Sequence, residues 1–207
     1  MQKETDLCKE FIMKTLNRWI NEPQLHIVEK DRITFQVLPK TDFWQITHYG
    51  FSRTDGNSLV ADIDEDICFS VKVKMNYMSE FDQCGIIVYL NDDNFAKLCV
   101  ENQLKTKNKL GSVVCKSKRS DWATQPFGDA DSIYFRVSKR GINYLFESSL
   151  DGYNFEQMRL FDIPDGENVA IGIFGASPLG NGFEAEFTNF EFSENKWFLD
   201  NDDLPSD

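Results

Sequence analysis

The sequence predicts an all-β fold, and three observations indicate it. After residue 23 the apolar residues recur with a period of two, so that apolar and polar side chains alternate along the segment 69–75. About a dozen such runs follow one another at short intervals. Turn residues, such as those at 55–57, 91–94 and 151–152, divide the runs. So many hairpin-connected strands favour a two-sheet sandwich or a closed barrel, because one open sheet would leave long unpaired edges.

The N-terminal segment departs from this period. Its apolar residues recur at steps of one, three and four, which predicts an α-helix over 5–21 with one apolar face. That face either docks on the body of the protein or binds a partner. We expect three parts: an N-terminal amphipathic helix docked on the body (1–22), a β-sandwich domain (23–195) and an acidic C-terminal tail (196–207). The strands of the domain are expected at 24–29, 32–37, 67–75, 83–90, 95–101, 110–116, 132–138, 142–149, 155–161, 168–175 and 183–192.

Composition excludes several classes of protein. The chain has 207 residues and a net charge of −12, and its 41% hydrophobic content, with 18 Phe, is enough for a core and too much for a disordered chain. No apolar run approaches the length of a membrane span, about 18 residues. An isoelectric point near 4.6 argues against general nucleic-acid binding, because an acidic surface repels phosphate.

The termini and cysteines indicate the compartment. The first residues are charged and lack an apolar core, so we expect no secretory signal. Five cysteines, an odd number with no C-x-x-C pair, argue against a disulfide framework or a zinc site. We therefore expect a cytoplasmic protein with reduced thiols.

The strand predicted at 95–101 carries two charged candidates, Lys97 and Glu101. Alternation assigns one set of residues to the inter-sheet core and the other to an outer face: Ala96, Leu98 and Val100 in the core, and Phe95, Lys97, Cys99 and Glu101 outside. Lys97 and Glu101 would be about 13 Å apart along the strand, too far to pair directly. They are either solvated surface charges or two groups that meet one ligand.

Aromatic residues outside the predicted core suggest a carbohydrate site. Trp44, Tyr49 and Trp122 lie in polar, loop-like settings, and the apolar face of a sugar ring stacks on such side chains. The candidate hydrogen-bonding neighbours are Asp42, Gln45, His48, Asp82, Gln83 and Arg136. The alternative is ordinary partial burial of the tryptophans and a structural role for His48.

Catalytic and metal signals are weak. A glycoside hydrolase needs two carboxyl groups about 5–9 Å apart, and the acidic run at 62–66 is typical of a turn. Glu101 is the single catalytic candidate, without a partner on its strand, and no G-x-S-x-G motif occurs. The acidic loops lack the spacing of a calcium loop, so no metal and no cofactor is predicted. The basic stretch 105–119 either favours an anionic ligand or protects a sheet edge.

Several motifs resemble a known family. They are the segments 41–45 (TDFWQ), 47–51 (THYGF), 81–85 (FDQCG), 94–101 (NFAKLCVE), 120–122 (SDW) and 149–152 (SLDG). Together they resemble the concanavalin-like lectin/glucanase family of unknown function that includes the regulation-of-enolase protein, over roughly residues 24–193. The resemblance implies a jelly-roll sandwich of two antiparallel sheets, one of them concave.

Three functions remain open at this point. The first is a non-catalytic carbohydrate- or small-polyol-binding module that uses a concave β-sheet groove, with Trp44, His48, Tyr49, Asp82, Gln83, Lys97, Glu101, Trp122 and Arg136 as ligand-binding residues. The second, implied by the resemblance, is a cytosolic regulatory protein with a protein partner. The third is an unrecognised sugar-acting hydrolase with Glu101 as acid or base. Neither nucleic acid nor membrane is expected as a partner.

Overall fold

The computed structural model describes residues 14–164 and 169–197. These residues form sixteen strands and no α-helix. The strands are β1 (Arg18–Ile20), β2 (His26–Val28), β3 (Arg32–Gln36), β4 (Phe43–Gln45), β5 (Ser52–Thr54), β6 (Asn57–Asp62), β7 (Ile67–Lys74), β8 (Gln83–Asn91), β9 (Asn94–Glu101), β10 (Lys109–Lys116), β11 (Arg119–Pro126), β12 (Ser132–Arg140), β13 (Asn143–Ser149), β14 (Glu156–Asp162), β15 (Ala170–Ala176) and β16 (Glu184–Ser193). Among the described residues no helix is long and apolar enough to cross a membrane.

Two seven-stranded sheets form the body. The first, here called the site sheet, has the order β1-β6-β15-β8-β9-β10-β11, and the second, the back sheet, has the order β14-β13-β12-β7-β16-β3-β2. Neighbouring strands in both sheets are antiparallel. Each sheet keeps two edges, so the fold is a sandwich and not a closed barrel. The prediction of two antiparallel sheets is therefore confirmed.

The main core lies between the two sheets. Strand β9 contributes Ala96, Leu98 and Val100 to it, and β7 contributes alternate residues such as Phe69 and Val71. The alternation predicted for 95–101 is thus confirmed. Burying each large apolar side chain contributes about 1.5–3 kcal/mol of transfer free energy, which favours the register that puts this face inside.

The helix predicted over 5–21 is wrong for residues 14–21. Residues 18–20 form strand β1, which pairs antiparallel with β6, and the Asn17 amide donates to the Val60 carbonyl at 3.0 Å. Trp19 packs on the main core while Ile20 packs on the opposite face of the sheet. A strand buries two adjacent apolar side chains on its two opposite faces. The edge of β6 supplies hydrogen-bond partners for the backbone, which a helix would have provided internally. Residues 5–13 of the predicted helix, and 198–207 of the predicted acidic tail, lie outside the described part.

A small hairpin covers part of the outer face of the site sheet. Strands β4 and β5 form a two-stranded ribbon that lies across this face. Phe43 of β4 meets Phe95 and Phe174 edge-to-face, with ring centroids 5.7 and 6.0 Å apart. A second, separate hydrophobic cluster results, and Trp44 and Cys99 belong to it. The outer face of the site sheet is therefore partly enclosed, which is the condition for a pocket there.

Candidate functional site

A cavity of about 250 Å³ lies on the outer face of the site sheet, beside the β4–β5 hairpin. It is lined by Asp42, Trp44, Tyr49, Phe51, Phe81, Gln83, Lys97, Cys99, Glu101, Gly111, Val113, Trp122, Pro178 and Leu179. Strand register explains the recess. On β8, β9 and β10, Cys99 lies between Gly85 and Gly111, so at these three neighbouring positions the sheet carries no side chain larger than a thiol. The rows on either side carry Glu101 and Lys97, which therefore border a depression in the sheet.

Lys97 lies at the floor of the pocket and is 3% exposed. Its ammonium group donates to Asp42 Oδ1 at 3.0 Å and to Gln83 Oε1 at 2.9 Å. Asp42 Oδ1 also accepts the Phe43 amide at 2.7 Å. The buried ammonium and carboxylate balance each other, and each would be strongly destabilising in this position without its partner.

Glu101 is the second carboxyl group of the pocket. Its Oε1 accepts a hydrogen bond from Gln103 Nε2 at 3.0 Å. Burial raises the pKa of Glu101 to about 7, although Lys97 opposes the rise and Asp42 adds to it. No ammonium or guanidinium group of the described residues lies within 4.0 Å of this carboxylate. Glu101 thus exchanges its proton near neutral pH.

Aromatic rings form one wall of the pocket. The Trp44 ring lies edge-to-face against Tyr49 and Trp122, with centroids 5.4 and 6.4 Å apart. The Trp44 indole N–H donates to the Thr47 carbonyl at 3.0 Å, which fixes the ring. Tyr49 stacks on Phe51 at 6.0 Å and is 55% exposed, so these two rings stand at the mouth.

The loop that carries Tyr49 has an unusual backbone. Ile46 and His48 have φ of 53° and 62°, and Gly50 has φ of 74°. Left-handed φ is unfavourable for a β-branched residue such as Ile46, so the loop stores strain that its hydrogen bonds must offset. The Ile46 amide donates to the Phe51 carbonyl and the Gly50 amide to the Ile46 carbonyl, both at 2.8 Å. This closed loop positions Tyr49 over the cavity.

Cys99 lies in the floor as a neutral thiol. Its sulfur lies 3.7 Å from Gln83 Oε1, and the side chain is buried. Burial raises the pKa of the Cys99 thiol far above its ordinary value. The thiolate is the nucleophilic form of cysteine, so Cys99 is not an activated nucleophile.

Most of the residues predicted from the sequence to bind a ligand line this pocket. They are Asp42, Trp44, Tyr49, Gln83, Lys97, Glu101 and Trp122. His48 stands next to them, with its ring 4.7 Å from that of Tyr49, but it does not line the cavity.

Three predicted residues lie elsewhere. Gln45 is buried outside the pocket lining, and its side-chain amide donates to the Asp92 carbonyl at 2.7 Å. Asp82 is fully buried behind the pocket, where it accepts the Ser177 hydroxyl at 2.6 Å and two backbone amides at 2.8 and 2.9 Å. Arg136 is on β12 of the back sheet and forms two 2.7 Å hydrogen bonds with Glu147. Alternation along the strand predicted that Arg136 faces outward, but it could not tell which sheet the strand joins. Arg136 is therefore not part of this pocket. The Asp82 carboxylate stabilises the turn before β8 through its hydrogen bonds with two backbone amides.

The pocket also contains residues that the sequence analysis did not select. They are Phe51, Phe81, Cys99, Gly111, Val113, Pro178 and Leu179. Gly111 and Val113 were identifiable in principle, because they share the outward parity of β10 and pair with Cys99 and Lys97. Pro178 and Leu179 come from a loop after β15, and no local pattern in the sequence indicates that this loop reaches the pocket.

The other charged segments have structural partners. Asp62 and Asp64 pair with Arg18 and Lys14 at 2.6 and 2.7 Å, so the run 62–66 is a surface turn. In the basic stretch, Lys116 pairs with Asp162, and the Lys109 ammonium lies 5.4 Å from the centroid of Trp122. Residues 14–164 and 169–197 contain no group of three or more His, Cys, Asp or Glu side chains arranged to hold a metal ion.

Comparison with known proteins gives a sequence relative. The chain is 28% identical over 177 residues to regulation of enolase protein 1 of Saccharomyces cerevisiae, and the match covers 84% of this chain and 88% of the relative. A crystal structure of a functionally unknown protein from Saccharomyces cerevisiae superposes with a TM-score of 0.81 at 28% identity, over 86% of this chain and 96% of that chain.

More distant structures share the fold alone. A xylan β-1,4-xylosidase from Bacillus halodurans matches with a TM-score of 0.65 and 11% identity, over 84% of this chain and 35% of that chain. A legume lectin-like domain from Entamoeba histolytica matches with a TM-score of 0.50 and 11% identity, over 82% of this chain and 86% of that chain. These matches support the concanavalin-like architecture of the sandwich. The family model described as a protein of unknown function, DUF1349, matches residues 19–195, and the chain belongs to this family.

Proposed function

We propose that this protein is a non-catalytic module that binds a carbohydrate or small polyol in the pocket on the site sheet. The observation that carries the proposal is the combination of an aromatic wall with a floor of buried polar groups. Trp44 and Trp122 can stack on the apolar face of a ring. At about 250 Å³ the cavity is near the lower end of ligand pockets, which span about 300–1,000 Å³, so a single sugar ring fits better than a chain.

The polar groups of the pocket suit a ligand with both donors and acceptors. The Lys97 ammonium has three N–H donors, of which Asp42 and Gln83 occupy two. Gln103 occupies one oxygen of Glu101. The Trp122 indole N–H forms no hydrogen bond with another described residue. A hydroxyl group both donates and accepts, so a polyol can bond to the ammonium, the carboxyl and the indole at once.

The same contacts argue against turnover. Glycoside hydrolysis needs one carboxyl as acid and a second as base or nucleophile. Asp42 is committed to Lys97 and to the Phe43 amide, which leaves Glu101 as the single available carboxyl in the described pocket. Cys99 is held as a neutral thiol. Binding without covalent chemistry is therefore the function that this arrangement supports best.

A saccharide titration tests the proposal. Tryptophan fluorescence and ligand-detected NMR would follow binding of a panel of neutral, acidic and amino monosaccharides. We expect Trp122→Ala to weaken binding about 5- to 30-fold, because one stacked ring contributes about 1–2 kcal/mol. Trp197→Ala is the matched control, since Trp197 packs on Arg140 away from the pocket. Failure of every saccharide to bind the folded protein would contradict the proposal.

A second candidate is a regulatory protein–protein contact through the same face. It draws on the name of the yeast relative and on the apolar mouth of the pocket, where Tyr49 and Leu179 are 55% and 57% exposed. Pull-down from lysate with wild type and with a Tyr49→Ser/Leu179→Ser variant tests it. A partner retained by wild type and lost by the variant supports this candidate, whereas equal recovery argues against it.

A further inference from the structure

Glu101 has no cationic partner among the described residues, unlike Asp42 and Glu147. The fully buried Asp82 also lacks a cation, but the Ser177 hydroxyl and two backbone amides stabilise it. Asp42 pairs with Lys97 at 3.0 Å, and Glu147 pairs with Arg136 at 2.7 Å. Glu101 has the Gln103 amide as its hydrogen-bond donor and no cation within 4.0 Å among the described residues. Glu101 is half-buried and lines the pocket, where an ionised carboxylate without a cation is unfavourable, so this position can accept a positive charge from a ligand.

We propose that the pocket selects an amino sugar, whose primary ammonium group pairs with the Glu101 carboxylate while its ring lies against the aromatic wall. This inference rests on the proposed function, which it narrows from polyols in general to polyols that carry an amine. An ammonium donates charge-assisted hydrogen bonds to a carboxylate, and these are about twice as strong as neutral ones.

The charged groups around Glu101 permit such a ligand. On its own strand, Lys97 is balanced by Asp42, so this pair adds little net field at the ligand position. On β10, Lys109 is in register with Glu101, and its ammonium lies 5.4 Å from the centroid of the Trp122 ring. The Lys109 ammonium thus lies over the Trp122 ring and forms no ion pair with Glu101 within 4.0 Å, which leaves the carboxylate available to a ligand cation. On β8, the neighbour in register is the uncharged Gln83.

The titration of Glu101 predicts how binding depends on pH. With burial raising its pKa to about 7, Glu101 is mostly protonated at pH 5.5 and mostly ionised at pH 7.5. An ammonium ligand pairs with the ionised form, so its affinity should rise between these two pH values. A neutral sugar can bond to either form and should bind with nearly the same affinity at both.

The experiment uses the full chain and matched ligands. Glucosamine, galactosamine, mannosamine and 6-amino-6-deoxyglucose are each compared with the hydroxyl sugar and the N-acetyl derivative, at pH 5.5 and 7.5. At pH 7.5 we expect at least one amine to bind about tenfold or more tightly than both counterparts. The advantage should fall to about twofold or less at pH 5.5 and in Glu101→Gln, whose amide keeps the shape but not the charge.

The outcomes separate this inference from the proposed function. Neutral sugars that bind as tightly as amines would overturn the amino-sugar inference and leave the carbohydrate-binding function standing. A complete absence of saccharide binding would overturn both. An amine advantage that persists in Glu101→Gln would place the charge recognition elsewhere and also overturn the inference. The pH comparison uses wild type, so it decides the question even if the variant does not fold.

Discussion

The buried Lys97–Asp42 pair makes the most quantitative prediction. In Lys97→Met the Asp42 carboxylate keeps the Phe43 amide at 2.7 Å but loses the ammonium at 3.0 Å. Gln83 Oε1 loses its 2.9 Å donor at the same time. Removing one partner of a buried ion pair costs about 3–5 kcal/mol, because an uncompensated charge stays behind. For a domain of this size that corresponds to a decrease of roughly 6–20 °C in Tm.

The double variant Asp42→Asn/Lys97→Met is the control. Asn keeps an oxygen for the Phe43 amide, and no buried charge remains, so most of the lost stability should return. Urea unfolding followed by circular dichroism gives the free energies, and a double-mutant cycle with Asp42→Asn gives the coupling. A cost of less than about 1 kcal/mol for Lys97→Met, or a double variant as unstable as the single one, would refute the idea that this pair is buried and compensated.

Three further predictions follow from other parts of the structure. In the folded state the pKa of Glu101 is raised to about 7 from an ordinary 4.5, so its contribution to the free energy of unfolding is full below pH 4.5 and is lost as pH rises through 7. In urea unfolding, the free energy of unfolding of the wild type should fall over this range by about 1–3 kcal/mol more than that of Glu101→Gln. Gly50→Ala, at φ 74°, should cost about 1 kcal/mol in the same assay, whereas Gly128→Ala, in open space without positive φ, should be near neutral. Arg136→Met should destabilise the fold by about 2–4 kcal/mol through Glu147 and leave saccharide affinity unchanged, and a changed affinity would show that Arg136 does contact the ligand.

The related proteins do not by themselves establish a carbohydrate-binding role for the pocket. The yeast relative and the crystal structure from the same species share 28% identity with this chain, and the lectin-like and glycosidase structures share only its architecture. Any carbohydrate role therefore has to be argued from Trp44, Lys97, Glu101 and Trp122 in this chain. Their convergence on one cavity is the observation that makes such a role testable here.

Alternation along individual strands was readable from the sequence and was sufficient for much of the fold. It predicted a two-sheet sandwich or a closed barrel, and it assigned Ala96, Leu98 and Val100 to the core and Lys97 and Glu101 to the outer face. The alternation of side chains between the two faces of a strand is a local property of the backbone, so it can be recognised in the sequence. The helical pattern over 14–21 gave a wrong prediction because a long-range contact, the pairing with the edge of β6, decided the conformation of this segment.

Which strands become neighbours, and what covers an outer face, are decided by long-range pairing that no local pattern encodes. Arg136 and Lys97 carry the same outward signature, yet one lies on the back sheet against Glu147 and the other under the β4–β5 hairpin. The glycines on either side of Cys99 create the cavity only because β8, β9 and β10 are in register. Residue types and parity are thus local information, whereas the pocket arises from hydrogen-bonded contacts between distant segments.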